Sequence, residues 1–187
     1  MKKLILTVLV CAATVAPAHA EGIDGARVVA RIGWETPTVS GAALGDIYKV
    51  GQAVSFGAEA GYDLKVSEKV TVGPYAVIDF SGVKACDAGD CLKVKNTYGV
   101  GGRLGFGLSD DGVIYGKVGY ANLKLDANVG AVVDSVNKGG IQGGIGYEGG
   151  LGKSAFWMVE ANYADFGKIG GVNFQRRHVA AGVGLRF

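Results

Sequence analysis

The feature that most constrains this chain is an alternation of apolar and polar residues with a period of two. In the last segment, 176–187, Val179, Val183 and Leu185 alternate with small or charged residues. Such alternation is typical of a β-strand with one apolar and one polar face. Turn residues separate segments of this kind, which span 26–35, 52–64, 69–80, 93–108, 113–125, 139–151, 155–166 and 176–187.

The connections between these eight segments alternate between short and long. The short ones cover 65–68, 109–112 and 152–154, and the long ones cover 37–52, 81–92, 126–138 and 167–175. Short turns at one end and long loops at the other are typical of transmembrane β-barrels with an even number of strands. After residue 20 no apolar run approaches the roughly 18 residues of a membrane-spanning helix, and an open sheet cannot satisfy its edges in lipid. The sequence therefore predicts an all-β fold, an eight-stranded antiparallel up-and-down transmembrane β-barrel.

The first twenty residues have the pattern of a cleaved signal peptide. Lys2 and Lys3 precede an apolar run that begins at Leu4, and small residues continue to Ala20. We expect residues 1–20 to be removed and residues 21–187 to form one barrel domain. This predicts Sec export through the periplasm to the outer membrane of a Gram-negative bacterium. The formal net charge of +2 is too small to favour nucleic acid as a partner.

Charged residues determine which face of each strand points inward. Lysine or arginine at the middle of a membrane costs about 2–4 kcal/mol, so Lys117 is expected to face the lumen. The same rule places ten charged residues inside, with equal numbers of each sign: Arg27, Arg31, Arg103, Lys117, Arg186, Glu59, Asp63, Asp79, Glu148 and Glu160. The residues expected to cluster near mid-depth, where they either fill the lumen or gate it, are Arg31, Glu59, Arg103, Lys117 and Glu160. Because an eight-stranded lumen is barely wide enough for side chains, glycines are expected to make room for them.

Aromatic residues are predicted to form two belts, since amphipathic rings prefer the membrane interface. The residues expected near the periplasmic ends of the strands are Tyr62, Phe106, Tyr147, Trp157 and Phe187. Those expected near the outer ends are Trp34, Phe80, Tyr120 and Tyr163. Phe187 would then be the lower belt residue of the closing strand.

Two cysteines, Cys86 and Cys91, lie close together in the long connection 81–92. In an exported chain this spacing favours a disulfide. A cysteine-based metal site is the alternative, but it needs about four nitrogen or sulfur ligands. His178, the only histidine after the signal peptide, is predicted on another strand. We therefore predict a loop disulfide, no metal and no cofactor.

Three stretches resemble the small outer-membrane barrel family that includes the opacity-type porins and the OmpA-like transmembrane domain. They are VGPYAVIDF at 72–80, VEANYADFG at 159–167 and GVGLRF at 182–187. The resemblance covers nearly the whole mature chain and implies an outer-membrane barrel. The final Phe187 resembles the signal that such proteins present to the barrel-assembly machinery.

Three functions are compatible with such a barrel. The first is a structural or surface-exposed barrel in outer-membrane lipid and lipopolysaccharide, with loops that present an adhesion or recognition surface to an unknown ligand. The second is a narrow porin-like channel. The third is an enzyme that modifies outer-membrane lipid, with His178 as its candidate general base. No serine in a matching motif accompanies His178, and 176–178 is more simply explained as a polar rim near headgroups, so we expect no enzyme.

Overall fold

The computed structural model describes residues 23–41, 47–87, 90–109, 111–129, 132–169 and 171–187. The predicted signal peptide lies outside these residues and stays a prediction. The strands are β1 Gly25–Ser40, β2 Ile47–Lys49, β3 Ala53–Lys65, β4 Val70–Ser81, β5 Lys84–Asp87, β6 Asp90–Gly107, β7 Gly112–Val129, β8 Val132–Gly150, β9 Ala155–Ile169 and β10 Val172–Arg186. In the part of the chain that is described, no helix is long and apolar enough to cross a membrane.

Eight long antiparallel strands close into a barrel. Going around the wall their order is β10, β9, β8, β7, β6, β4, β3 and β1, and β1 pairs with β10 to complete the ring. The short strands β2 and β5 pair only with β1 and β6. The predicted eight-stranded barrel is confirmed.

The closing seam runs from Arg27 opposite Arg186 to Ser40 opposite Asn173. Phe187 continues this ladder, because its N–H donates to the Ala26 carbonyl at 2.8 Å and its own carbonyl accepts from the Ala26 N–H at 3.1 Å. The last residue of the chain is therefore held in the sheet and does not fray.

The long connections differ from the prediction, because much of their length is paired strand. The β7–β8 ladder continues to Val129 opposite Val132, where the sequence predicts a loop over 126–138. β1 likewise continues to Ser40 and pairs with β2. The physical reason is that VVDSV is rich in β-branched valine, which favours a strand and outweighs the neighbouring Asp, Asn and Gly residues that predict a turn.

The predicted facing of the strands is confirmed. In β3, Val54, Phe56 and Tyr62 are exposed on the outer surface, whereas Glu59 and Asp63 are buried in the lumen. Six of the predicted belt residues are at least 44% exposed on the outer face: Trp34, Tyr62, Phe80, Phe106, Tyr120 and Tyr163.

Trp157 is 37% exposed and packs on Tyr147 with ring centroids 5.5 Å apart. Tyr147 and Phe187 are only half-buried. Phe56 and Tyr98 are outward aromatics that the belts left out. The role of these rings at the membrane interface stays a prediction.

A charge on the outer face should weaken the barrel in a depth-dependent way. Val100 is 58% exposed in the middle of β6, so Val100→Lys should lower the free energy of unfolding in phospholipid bilayers by about 2–4 kcal/mol. Val66→Lys, in the turn between β3 and β4, is the matched control and should cost about 0–1 kcal/mol. Denaturant titration in liposomes measures both, and equal losses would contradict the assigned depth.

Candidate functional site: the filled lumen

The lumen holds six basic and six acidic side chains, all of them buried. Beside the ten that the sequence places inside, the structure adds Arg176 and Glu35. The full set is Arg27, Arg31, Arg103, Lys117, Arg176, Arg186, Glu35, Glu59, Asp63, Asp79, Glu148 and Glu160. Opposite charges are thus balanced within the barrel among the described residues.

Glu59 is the centre of the middle tier. It lies 2.6 Å from Arg27 Nη1, 3.1 Å from Arg31 Nη1 and 2.6 Å from Lys117 Nζ. Glu160 faces it and lies 3.0 Å from Arg31 and 2.5 Å from Lys117. Because β3, β1, β7 and β9 each contribute one or more of these side chains, this tier ties together strands that are not adjacent in the wall. Four of the five residues predicted to cluster at mid-depth therefore meet.

Arg103 is the exception, and its predicted place in the mid-depth cluster is wrong. Its guanidinium lies 2.6 Å from Asp63 and 2.8 Å from Glu148, near the periplasmic end of the lumen. The reason is that Arg103 lies directly opposite Lys117 in the β6–β7 ladder, and like charges in that position repel. Arg103 turns away from Lys117 and stacks on Tyr115, with the guanidinium carbon 4.0 Å from the ring centroid.

Arg186 completes this lower tier. It lies 3.2 Å from Asp63 and 2.9 Å from Glu148. Arg27 Nε is also 3.2 Å from Asp63, so the lower tier is continuous with the Glu59 tier above it.

The upper tier contains residues that the sequence assigned to a polar rim. Arg176 is buried and lies 2.7 Å from Glu35 and 3.2 Å from Asp79. Glu35 also accepts a hydrogen bond from the Ser81 hydroxyl, and Arg31 Nε lies 3.2 Å from Asp79. The rim interpretation is therefore wrong for Arg176, because the alternation of β10 turns it inward.

The rim interpretation is also wrong for His178, which is 2% exposed inside the lumen. Its Nε2 lies 2.8 Å from Ser55 Oγ, and its Nδ1 lies 3.3 Å from Arg31 Nη2. A Cβ at Gly33 would overlap the imidazole, so glycine makes room for the ring as expected.

The contacts of His178 determine which nitrogen carries its proton. Arginine can only donate, so Nδ1 accepts from Arg31 and Nε2 donates to Ser55. A histidine that activates a serine must accept at the nitrogen facing the hydroxyl. Asp79, the nearest carboxylate, is 3.9 Å from Nδ1. The sequence offered no signal for the Ser55 contact, because β3 and β10 are distant in sequence and separated by β1.

An apolar core closes the outer end of the lumen. Its buried members are Val83, Val94, Ala121, Leu123, Leu125, Ala164, Phe166 and Phe174. Val83 comes from the segment after β4 and is held by hydrogen bonds from Val94 N–H to its carbonyl and from its N–H to Ser81 Oγ, both 3.0 Å. We call this group the outer core. Sequence reasoning missed it, although the apolar character of both faces of segment 113–125 was a signal.

The predicted disulfide is confirmed. Cys86 and Cys91 are bonded and lie directly opposite each other in the β5–β6 ladder. The bond holds together the hairpin that follows Val83. No group of His, Cys, Asp or Glu among the described residues is arranged to hold a metal ion.

A closed barrel with an apolar outer face and paired charges inside defines a transmembrane β-barrel of the outer-membrane type. The chain belongs to the outer membrane protein beta-barrel domain family, whose model matches residues 4–187. This family indicates the Gram-negative outer membrane. No curated protein matches the sequence significantly.

Solved structures of small outer-membrane barrels share this fold. Neisserial surface protein A matches at 14% identity with a TM-score of 0.62, over 88% of this chain and 100% of that one. Ail, the attachment invasion locus protein of Yersinia pestis, solved with the heparin analogue sucrose octasulfate, matches at 17% identity with a TM-score of 0.60 over the same shares. OprG from Pseudomonas aeruginosa matches at 14% identity with a TM-score of 0.53, over 89% of this chain and 98% of that one. At these identities the likeness concerns the fold alone.

Removing the central carboxylate should destabilise the barrel. Glu59→Gln leaves Arg27, Arg31 and Lys117 without their shared partner, and breaking a buried ion pair costs about 3–5 kcal/mol. The free energy of unfolding in liposomes measures the loss. Glu68→Gln, in the exposed turn after β3, is the control and should change little.

The double variant Glu59→Gln with Lys117→Met tests whether the loss of stability in Glu59→Gln comes from unbalanced charge or from altered packing. It restores the balance of luminal charge that Glu59→Gln disturbs, so it should recover part of the stability lost in Glu59→Gln alone. A double variant less stable than the single one would show that Lys117 does not depend on Glu59.

Proposed function

We propose that this protein is a filled, non-conducting barrel that carries a recognition or adhesion surface on its outer hairpins. The observation that carries the proposal is the filled lumen. Balanced ion pairs occupy its lower, middle and upper tiers, and the outer core lies above them. Such an interior makes the barrel a rigid support for the hairpins outside the membrane.

The contacts of the luminal charges favour this role over the porin-like one. Lys117 and Arg31 each contact two or more carboxylates within 3.2 Å. An ion passing the middle tier would have to break several of these pairs, and the lumen of an eight-stranded barrel is narrow even before they form. The outer core then adds an apolar barrier on the same path.

The outer hairpins are suited to presentation because they are stiff. The β7–β8 and β9–β10 hairpins are paired ladders rather than loose loops, and Cys86–Cys91 links the two strands of the β5–β6 hairpin. A paired hairpin loses less conformational entropy when it binds a partner than a flexible loop does. The Ail structure with a heparin analogue supports heparin as the first probe of this surface.

The export, membrane insertion and lipid surroundings of the barrel belong to the same proposal. The chain would be exported by the Sec route, inserted by the barrel-assembly machinery through its terminal Phe187, and surrounded by outer-membrane lipid and lipopolysaccharide. A lipid-modifying activity is disfavoured, because His178 donates to Ser55 and both side chains are buried.

A filled lumen predicts electrical silence. The purified barrel in planar lipid bilayers should show no steady conductance, whereas a pore would. The variant Leu123→Ala with Phe166→Ala opens the outer core but leaves the charged tiers intact, so it should stay silent too. Steady conductance of the native barrel that changes in Lys117→Ala would support the channel and contradict the proposal.

The surface role is tested by shortening one hairpin outside the barrel. Asp126 and Ser135 are directly opposite, so Asn-Gly in place of residues 127–134 should close the hairpin with a two-residue turn. Residues 127–134 carry one acidic and no basic side chain, so this variant tests contacts other than charge pairing with heparin. Cells carrying it should adhere less well to cultured epithelial cells than cells with the native protein. Heat-dependent gel migration verifies that the barrel has folded, and unchanged adhesion would count against a role for this hairpin.

A further inference from the structure

A bulge in β6 turns two consecutive side chains toward the membrane side of the wall. Val94 lies opposite Leu125, and both are buried inside. Asn96 lies opposite Lys124, and Lys95, which comes between Val94 and Asn96 in the sequence, has no opposite residue in the ladder. The extra residue of a bulge shifts the alternation by one. Lys95 and Asn96 therefore lie on the same outward face, together with Lys124.

The register adds two further lysines to this face. Lys84 of β5 lies directly opposite Lys93 of β6, and Lys93 in turn lies opposite Asp126 of β7. We call the outward residues Lys84, Lys93, Lys95, Asn96 and Lys124 the lysine face. Like charges directly opposite on one face of a sheet repel, and the Asp126 carboxylate beside the Lys84–Lys93 pair is shared with Lys95.

The structure supplies only one carboxylate for this face among the described side chains of β5, β6 and β7. Asp126 Oδ2 lies 3.1 Å from Lys95 Nζ, and its Oδ1 accepts a hydrogen bond from Ser135 at 2.8 Å. The bonds from Ser135 and Lys95 lower the pKa of Asp126, which stays ionised. Among the described side chains of these strands, this single carboxylate is therefore shared by four lysines, because Lys93 lies opposite it in the ladder and Lys124 also interacts with it. The face keeps an excess of positive charge.

Asn96 gives an independent indication of a ligand. Its side chain is 92% buried, since only 8% of the residue is exposed, and its Nδ2 has no hydrogen-bond partner. A buried polar group without a partner is costly and rare in folded proteins. Here the unsatisfied group is a donor. Asn96 lies opposite Lys124 in the β6–β7 ladder and opposite Phe80 in the β4–β6 ladder. A donor beside an excess of lysines is suited to an anion.

The position of the lysine face favours a lipid over a soluble ligand. Phe80, Tyr98 and Tyr120 lie on the same outward surface, are 50–56% exposed and mark its apolar part. Lys95 and Lys124 lie only a few residues beyond these rings along β6 and β7, at the level where lipid headgroups begin. Basic side chains at that level attract anionic headgroups.

We propose that the lysine face binds the phosphate groups of a phosphorylated glycolipid of the outer leaflet, the lipid A part of lipopolysaccharide. The lysines neutralise the phosphates, and Asn96 Nδ2 donates to one of their oxygens. This site rests on the outer-membrane location alone and does not depend on the proposed recognition role of the hairpins.

The test uses the full barrel in phosphatidylcholine nanodiscs that contain increasing fractions of bisphosphorylated lipid A. Native mass spectrometry measures how much lipid A remains bound. A basic residue near an anionic headgroup is worth about fivefold in affinity, so Lys84→Gln with Lys93→Gln should weaken binding about 30-fold. Asn96→Ala keeps every charge and should weaken it about tenfold, the value of a hydrogen bond to a charged group.

The matched control is Lys49→Gln with Lys168→Gln, which removes two exposed lysines at the same end of the barrel and should bind lipid A like the native chain. The Lys84–Lys93 variant should also be at least as stable as the native barrel when lipid A is absent, because a repulsive pair is lost. Should either variant fail to fold, Lys124→Gln replaces it.

The lipid species distinguishes the possible sources of the phosphate. Lipid A without its phosphates should bind no better than phosphatidylcholine. Equal binding of phosphatidylglycerol, displacement of lipid A by inorganic phosphate, or equal lipid A binding by the control and the Lys84–Lys93 variant would each overturn the proposal.

Discussion

The structure depends on the requirement that charges inside a lipid-embedded barrel be paired. Within the membrane the outside of the wall faces hydrocarbon and can hold no charge cheaply, so the ionised groups of the eight long strands have only the lumen to occupy at that depth. There Glu59 contacts Arg27, Arg31 and Lys117 at once. Buried ion pairs are stable only when every partner is present. The position of each strand is therefore fixed by partners on strands that it does not touch.

This network takes the place of a hydrophobic core over most of the lumen. A soluble domain gains stability by removing apolar surface from water, but here the apolar surface faces lipid, so the interior must be held by other contacts. A small apolar cluster of Val29, Tyr115, Phe156 and Met158 lies among the charged tiers. The larger apolar cluster is the outer core, at the end where the strands leave the membrane and water replaces lipid. Phe166 and Phe174 pack there with ring centroids 6.3 Å apart. The larger of the two apolar clusters thus lies where the solvent around the barrel changes from lipid to water.

Sequence reasoning could predict the wall of this barrel but only part of its interior. Period-two alternation identifies the face of strand residues outside the bulges. In β7, whose two faces are both partly apolar, Lys117 alone shows which face points inward. The direction of a luminal side chain is harder to predict, because it depends on which charges lie beside it. The prediction for Arg103 is wrong for that reason: its backbone lies opposite Lys117, but its side chain turns away toward Asp63. The rim prediction is wrong for Arg176 and His178 because the inward face of β10 continues beyond the predicted level of the headgroups.

The paired outer hairpins and the lysine face could not be predicted from the sequence pattern either. Asp, Asn and Gly between β7 and β8 are turn formers, yet pairing across the ladder outweighs them when valines alternate on both sides. The bulge at Lys95 has no reliable sequence signal, since it appears only as a break in register between Val94 and Asn96. That one extra residue turns Asn96 outward beside Lys124 and so changes the chemistry of the wall. In a barrel whose interior is already filled by its own partners, such departures from regular alternation are where contacts with other molecules can arise.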